Sequence, residues 1–291
     1  MSADSPLFRF QMWRNALPPT LRWLHTVNIA TYLIYVVLAM LALFGAAAPA
    51  EFVMRFLTLP ASPAAALTVP WTALTYGVVN AFPGFFGLIS FAFGFYWLNW
   101  MGRDYEETYG SHSLLAVYVL GILGGALFGL AVGALLPLPR AFYFGLWTPV
   151  TAVLCAVATL QPDRQVGLFL LGAVSMKWIA IGFVVLSLVF SGDLTVLGAA
   201  LAGFLFGRAQ ASGRDPGAWA APLFRERRSR RKKEPRPSPV SAMKSVGRRR
   251  QREAPPAGLR DVDAILDKIL EKGYDSLTAE EREILNRASR D

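Results

Sequence analysis

Apolar residues in this chain come in long runs, not in the alternation of a half-buried strand or the one-sided stripe of a soluble helix. Six runs read as membrane-spanning helices: 26–44, 85–101, 114–135, 148–160, 178–190 and 194–207. About 20 apolar residues cross a bilayer as a helix. The last three runs are shorter, and a short helix crosses only where the bilayer thins or a bundle shelters its ends. The second run is aromatic, with Phe85, Phe86, Phe91, Phe93, Phe95, Tyr96, Trp97 and Trp100. Between the first two lies 45–80, rich in Pro and Ala and holding Leu57, Leu59 and Trp71. It reads as an interfacial or re-entrant segment. The apolar stretch 165–177, between Arg164 and Lys177, reads as hugging the cytoplasmic membrane surface rather than crossing it.

Charge sharpens this division. Of the 291 residues 54% are apolar, and residues 26–50 hold no charged side chain. The tail from Ala211 onward carries 20 of the 29 Lys and Arg. Lys and Arg near the span ends set orientation. One set of loops holds Arg9, Arg14, Arg22, Arg103, Arg164, Lys177 and the tail, and the opposite set only Arg55 and Arg140. Both termini are therefore expected in the cytoplasm, with the protein multi-pass in a bacterial inner membrane. Residues 1–25 lack a small-residue cleavage pattern, so they are expected to remain as a cytosolic segment before an uncleaved anchor. The single cysteine, Cys155, permits no intrachain disulfide and is expected to pack as a small apolar residue.

Small residues recur at four-residue spacing. Gly121, Gly125, Gly129 and Gly133 lie on one face of the third run, Ala199, Gly203 and Gly207 on the sixth, and Thr148, Ala152 and Ala156 on the fourth. In lipid such faces let helix backbones approach closely, so these residues are expected to pack a compact bundle.

Several motifs then occur in a telling order. Pro70-Trp71-Thr72 with Thr75-Tyr76, Gly102-Arg103-Asp104-Tyr105-Glu106-Glu107 with Tyr109-Gly110, Gly145 before the fourth run, Ala158-Thr159-Leu160-Gln161-Pro162, and Leu197-Gly198-Ala199-Ala200-Leu201-Ala202-Gly203 are spread along one stretch. Residues 23–207 resemble the rhomboid family. The resemblance implies a six-transmembrane-helix bundle, and an intramembrane serine protease with a serine nucleophile and a histidine base.

The chain departs from that family where the chemistry lies. The serine position, two residues after Gly145, is Trp147; the histidine position, before Leu197-Gly198, is Val196. The family's further histidine corresponds to Asn80. Its oxyanion-stabilising His-x-x-x-Asn pair falls on Ser90 and Gly94, or on Gly87 and Phe91 in the other register. A hydroxyl is a weak nucleophile without a base in hydrogen-bond reach, and the only histidines are His25 and His112. Thr148 is the remaining candidate nucleophile, but Thr148-Pro149 also reads as a helix N-cap followed by proline at the first helical position. Ser90, Ser175 and Ser191 have no histidine or lysine partner in view.

The expected organisation is a cytosolic segment 1–25, an all-α membrane domain 26–210, a basic disordered linker 211–258 and a cytosolic helical hairpin 259–291. The hairpin's apolar faces are Val262, Ile265, Leu266, Ile269 and Leu270, then Ile284, Leu285 and Ala288, with Gly273 ending the first helix and a Thr278–Glu281 capping box starting the second. Expected partners are the lipid bilayer, transmembrane segments of other membrane proteins, and anionic lipid through the basic tail. Nucleic acid is not expected, since no aromatic interleaving accompanies the charge. No cofactor or metal is expected. Two functions stay open: a pseudoprotease that binds transmembrane segments without cleaving them, and an intramembrane serine endopeptidase with a non-standard site. A transporter finds little support, because the runs hold almost no ionisable residues to mark a pathway.

Overall fold

Helices built from those apolar runs dominate the computed structural model, which describes residues 5, 12–81, 84–136, 141–168, 172–224, 265, 267–271 and 277–288. Residues 1–230 and 231–291 form two separate compact units. In the first unit, α1 (Pro19–Leu43), α2 (Ala48–Leu57), β1 (Leu59–Pro60), α3 (Pro63–Thr68) and α4 (Thr72–Thr75) precede the long α5 (Gly84–Tyr109) and α6 (Ser111–Leu135). Then follow β2 (Phe142–Tyr143), α7 (Trp147–Leu160), the hairpin β3 (Gln165–Leu168) and β4 (Gly172–Ser175), α8 (Met176–Ser191), α9 (Thr195–Ala211) and a 3-10 turn (Ala218–Ala220). By length and composition two described helices, α1 and α6, suffice to cross a bilayer; α7 and the segment Met176–Val189 are shorter apolar helices.

The unit is apolar outside and partly polar within. Leu33, Ile34, Val37 and Met40 on α1, Phe85, Phe86 and Phe93 on α5, and Trp178, Ile181, Val185 and Val189 on α8 are exposed. Asn28, Thr72, Asn80, Glu106, Ser113, Thr148, Thr151 and Thr195 are buried. A monomer in water rarely exposes such a contiguous apolar surface; a lipid-facing one does so at no cost.

Glu106 shows how the buried polar groups work. α1 begins at Pro18-Pro19 without a side-chain cap of its own, which leaves N–H groups of its first turn unpaired. The Glu106 carboxylate on α5 accepts from Thr20 N and Leu21 N at 2.8 Å each, and from Ser111 Oγ at 2.6 Å. Its neighbour Arg103 pairs with Glu107 at 2.9 Å, and Asp104 pairs with Arg164. Gly110, at φ +90°, makes the sharp break between α5 and α6.

The small-residue positions lie where helices nearly touch. A Cβ on Gly121 would stand 2.3 Å from Ala152 Cβ, and one on Gly203 would stand 2.1 Å from Ala152 O. On Gly207 it would meet Thr159 Cβ at 2.9 Å and Ala156 O at 3.0 Å; Ala199 is fully buried. Gly125 faces Thr148 and Tyr76, Gly129 faces Thr195, and Gly133 approaches Ala61 O at 2.3 Å. Gly124 and Gly198, outside the predicted spacing, face each other: a Cβ on Gly198 would lie 2.2 Å from Gly124 O.

The structure departs from the sequence reading in several places. An all-α chain was expected, yet two small antiparallel pairs are present. Segment 165–177 is largely a β-hairpin, with Val166 opposite Val174 and Gly172, at φ +72°, opposite Leu168. β-Branched Val166 and Val174 suit paired strands. α1 starts at Pro19, ahead of the expected 26, and α5 runs on to Tyr109, because charged residues continue a helix once its apolar part ends. Residues 212–224, expected in the linker, pack onto the first unit: Ala220 is fully buried and His112 Nε2 lies 3.0 Å from Asp215 Oδ2. The basic runs at 225–233 and 248–250 lie outside the described residues.

In the second unit, residues 267–271 are helical and α10 spans Ala279–Ala288. Thr278 N donates to Glu281 Oε2 at 2.8 Å and Glu281 N to Thr278 Oγ1 at 3.4 Å, the reciprocal bonds of a capping box. Lys268 Nζ donates to both Glu281 oxygens, at 2.7 and 2.8 Å. Val262, Leu266 and Gly273, and the side chains of Ile284, Leu285 and Ala288, lie outside the described residues.

Candidate functional site

The site is the start of α7 and the loop that delivers it. Residues 141–146 are tied on both sides. Ala61 N donates to Ala141 O at 3.0 Å, β1 pairs with β2, and Gly145 N donates to Tyr76 O at 2.9 Å. Gly145 holds φ at +109°, a backbone shape that a side chain rarely tolerates. Trp71 and Thr75 in turn bind the last carbonyls of α2: Trp71 Nε1 donates to Phe56 O and Thr75 Oγ1 to Leu57 O, both at 2.8 Å. The Pro-Trp-Thr motif therefore anchors the segment that supports the loop.

Asn80 completes the support. It is fully buried, and its Oδ1 accepts from Leu146 N at 3.0 Å. Its Nδ2 donates to Asn28 Oδ1 at 2.9 Å, and Asn28 Nδ2 donates to Leu24 O at 2.9 Å and Tyr118 OH at 3.1 Å. An amide has both a donor and an acceptor to offer. Here it spends them on a backbone N–H and on a neighbouring helix, so Asn80 orders the residue just before Trp147.

Trp147 sits in the seam between α5 and α8. Its indole N–H donates to Ser90 Oγ at 3.0 Å. Its ring centroid lies 5.4 Å from that of Phe183 on α8 and 6.0 Å from that of Phe93 on α5. Trp97 lies 5.9 Å from Phe93 and 6.0 Å from Phe183. A Cβ on Gly94 would stand 2.7 Å from Leu146 Cδ1 and 3.3 Å from the Trp147 ring. Of the two registers read for the second run, it is Ser90 and Gly94 that face the start of α7. Ser90, without an apparent partner in the sequence, is the acceptor for the indole.

Thr148 is not a cap. The helix already begins at Trp147, after Leu146, and no side chain caps it. Thr148 instead points inward and is 1% exposed. Its Oγ1 lies 2.9 Å from Thr195 Oγ1, and Thr195 Oγ1 donates to Asp193 Oδ1 at 2.7 Å. Because Thr195 gives its one hydroxyl proton to Asp193, Thr148 donates to Thr195. Asp193 Oδ1 also accepts from Thr195 N at 3.0 Å, fixing the start of α9. Tyr76 OH stands over Gly125 beside Thr148 and donates to Ile122 O at 2.7 Å. Sequence reasoning missed this relay. A signal existed: Thr148 follows Trp147 and Thr195 precedes Val196, the two positions read against the family's serine and histidine.

Val196 is 1% exposed on α9 and presents an isopropyl group. The two histidines lie elsewhere. His25 Nε2 is 3.2 Å from Asn99 Oδ1, and Asn99 is nine residues along α5 from Ser90, about 13 Å of helical rise. His112 starts α6, thirteen residues and about 20 Å before the Gly125 that faces Thr148. Among the described residues no group of three or more His, Cys, Asp or Glu is placed to hold a metal.

Comparison with known families gives two matches. The rhomboid domain matches residues 70–212, and a family of unknown function (DUF6576) matches residues 258–291. No curated protein matches the chain. The matched segment runs from the Pro-Trp-Thr motif through α9, enclosing Asn80, Trp147, Thr148 and Val196, so residues 70–212 of this membrane protein form a rhomboid domain with apolar helices at its centre.

Proposed function

We propose that this chain is a rhomboid-like pseudoprotease that binds transmembrane segments of other membrane proteins without cleaving them. The observation that carries the reading is the chemistry at two positions. The serine position holds an indole whose only polar group donates to Ser90, and the histidine position holds a buried isopropyl group. Neither offers a nucleophile or a base. In this reading six helices, α1, α5, α6, α7, α8 and α9, cross the bilayer of a bacterial inner membrane with both termini in the cytoplasm. The basic tail contacts anionic lipid. The exposed apolar side chains of α5 and α8, on either side of Trp147, offer a client helix a surface to pack on.

One observation favours the second reading, an intramembrane endopeptidase with a non-standard site. Thr148, Thr195 and Asp193 form a hydroxyl relay ending on a carboxyl group. Against it, Thr148 is buried and its hydroxyl proton is directed to another hydroxyl rather than to a base. A fluorophosphonate probe tests both. The pseudoprotease leaves the protein unlabelled and a transmembrane reporter intact, while single-span proteins co-purify whole. Labelling at Thr148 together with reporter cleavage, both abolished in Thr148→Val, overturns it.

A further inference from the structure

Away from Trp147, an elongated groove of about 670 Å³ runs between α7, α8 and α9. Its floor includes Cys155 and Ala158, and its walls are Ile181, Val184 and Val185 on one side and Leu201 and Phe204 on the other. Ile181, Val185, Leu201 and Phe204 are about half exposed, so the groove opens sideways along its length. α8 and α9 run in opposite directions. Lys177 in the first turn of α8 and Arg208 in the last turn of α9 therefore meet at one end, where both line the groove. Lys177 Nζ is 2.7 Å from Asp163 Oδ1, an exposed carboxylate. An ammonium has three donors, so one bond to Asp163 leaves two to give. Arg208 has no partner among the described residues.

We infer that this groove binds an anionic phospholipid, its phosphate held between Lys177 and Arg208 and its acyl chain lying along the apolar walls. The charge pattern matches an amphiphile with one anionic end and a hydrocarbon body. Charge separates it from a helix: the apolar span of a transmembrane segment carries no anion to meet Lys177 and Arg208, and a phospholipid phosphate does. The site is separate from the seam at Trp147 and stands whichever reading of the serine position holds.

The full chain, purified in detergent and offered phosphatidylglycerol or phosphatidylcholine with identical acyl chains, tests this by native mass spectrometry. The expected result is a one-to-one phosphatidylglycerol adduct retained roughly tenfold better than phosphatidylcholine, the size expected for one free and one shared cation. Lys177→Gln with Arg208→Gln brings retention down to the phosphatidylcholine level. The charge-keeping pair Lys177→Arg with Arg208→Lys preserves it, which separates loss of charge from loss of fold. Ala200→Phe, which fills the groove, lowers retention with both cations present. The basic run at 225–233 is the same in every variant, so the differences report the groove. Equal retention of the two lipids, undiminished binding in the Gln pair, or displacement of lipid by a second copy of the chain or by a transmembrane peptide overturns the inference.

Discussion

Ala152 is approached by two glycines in different ways, and the difference can be measured. A Cβ on Gly121 would meet the Ala152 Cβ at 2.3 Å, while the next nearest atoms, Pro149 Cα and Ala152 Cα, are at 3.6 and 3.8 Å. A Cβ on Gly203 would meet Ala152 O at 2.1 Å, C at 2.8 Å and Cα at 2.9 Å, all backbone. Either Gly→Ala change forces a gap of about 1 Å between packed helices, which forfeits a quarter to a half of each contact's attraction along the seam. The expected loss is about 1–3 kcal/mol for Gly121→Ala. For Gly203→Ala it is at the upper end, about 3 kcal/mol, because a carbonyl cannot rotate away. Ala152→Gly discriminates between them. It removes the methyl that Gly121→Ala strikes and should restore that variant to within about 1 kcal/mol of the parent. It leaves the carbonyl that Gly203→Ala strikes, so that variant stays destabilised. Gly182→Ala, with nothing within 4 Å of its new methyl, is the control and should be neutral or stabilising. Reversible unfolding in mixed micelles, followed by circular dichroism, gives all of these free energies. Equal rescue of both glycine variants by Ala152→Gly, or no loss in either, refutes the packing of α6 and α9 against α7.

Asn80→Ala strips the acceptor from Leu146 N and the donor to Asn28, and should cost about 1–3 kcal/mol in the same assay; an unchanged unfolding midpoint would contradict its role in ordering the loop. Glu106→Ala removes three charge-assisted bonds at the start of α1 and should cost about 2–4 kcal/mol, with hydrogen exchange rising first at Thr20 and Leu21. Trp147→Ser opens the aromatic seam between α5 and α8 and should cost about 3–5 kcal/mol, while remaining unreactive to fluorophosphonate because Val196 supplies no base. Glu281 is held below its ordinary 4.5 by its bond to Lys268 and by the Thr278 N–H. A depressed carboxylate stabilises the fold above its unfolded value and loses that effect as pH falls through the lowered one. Exchange protection of residues 279–283 should thus be constant from neutral pH down to about 4.5 and fall below it; constant protection through the acid range would deny Glu281 that role.

Long apolar runs, lopsided charge and four-residue glycine spacing were sufficient by themselves to indicate a membrane protein made of helices. Each reports a local free energy: transfer of one segment to lipid, or the reach of one helix face. The motif order from Pro70 to Gly207 likewise pointed to the rhomboid domain, since side-chain identity needs no coordinates. What the sequence left open depended on partners distant along the chain. Thr148 beside Pro149 looked like a cap, and only the placement of α9 turned its hydroxyl toward Thr195 and Asp193. Ser90 looked solitary until α5 set it against the Trp147 indole. Glu106 caps a helix 86 residues away, and 165–175 paired with itself as a hairpin. Hydrogen bonds and close packing are short-ranged in space but not in sequence, so their pairing was decided only when the helices came together.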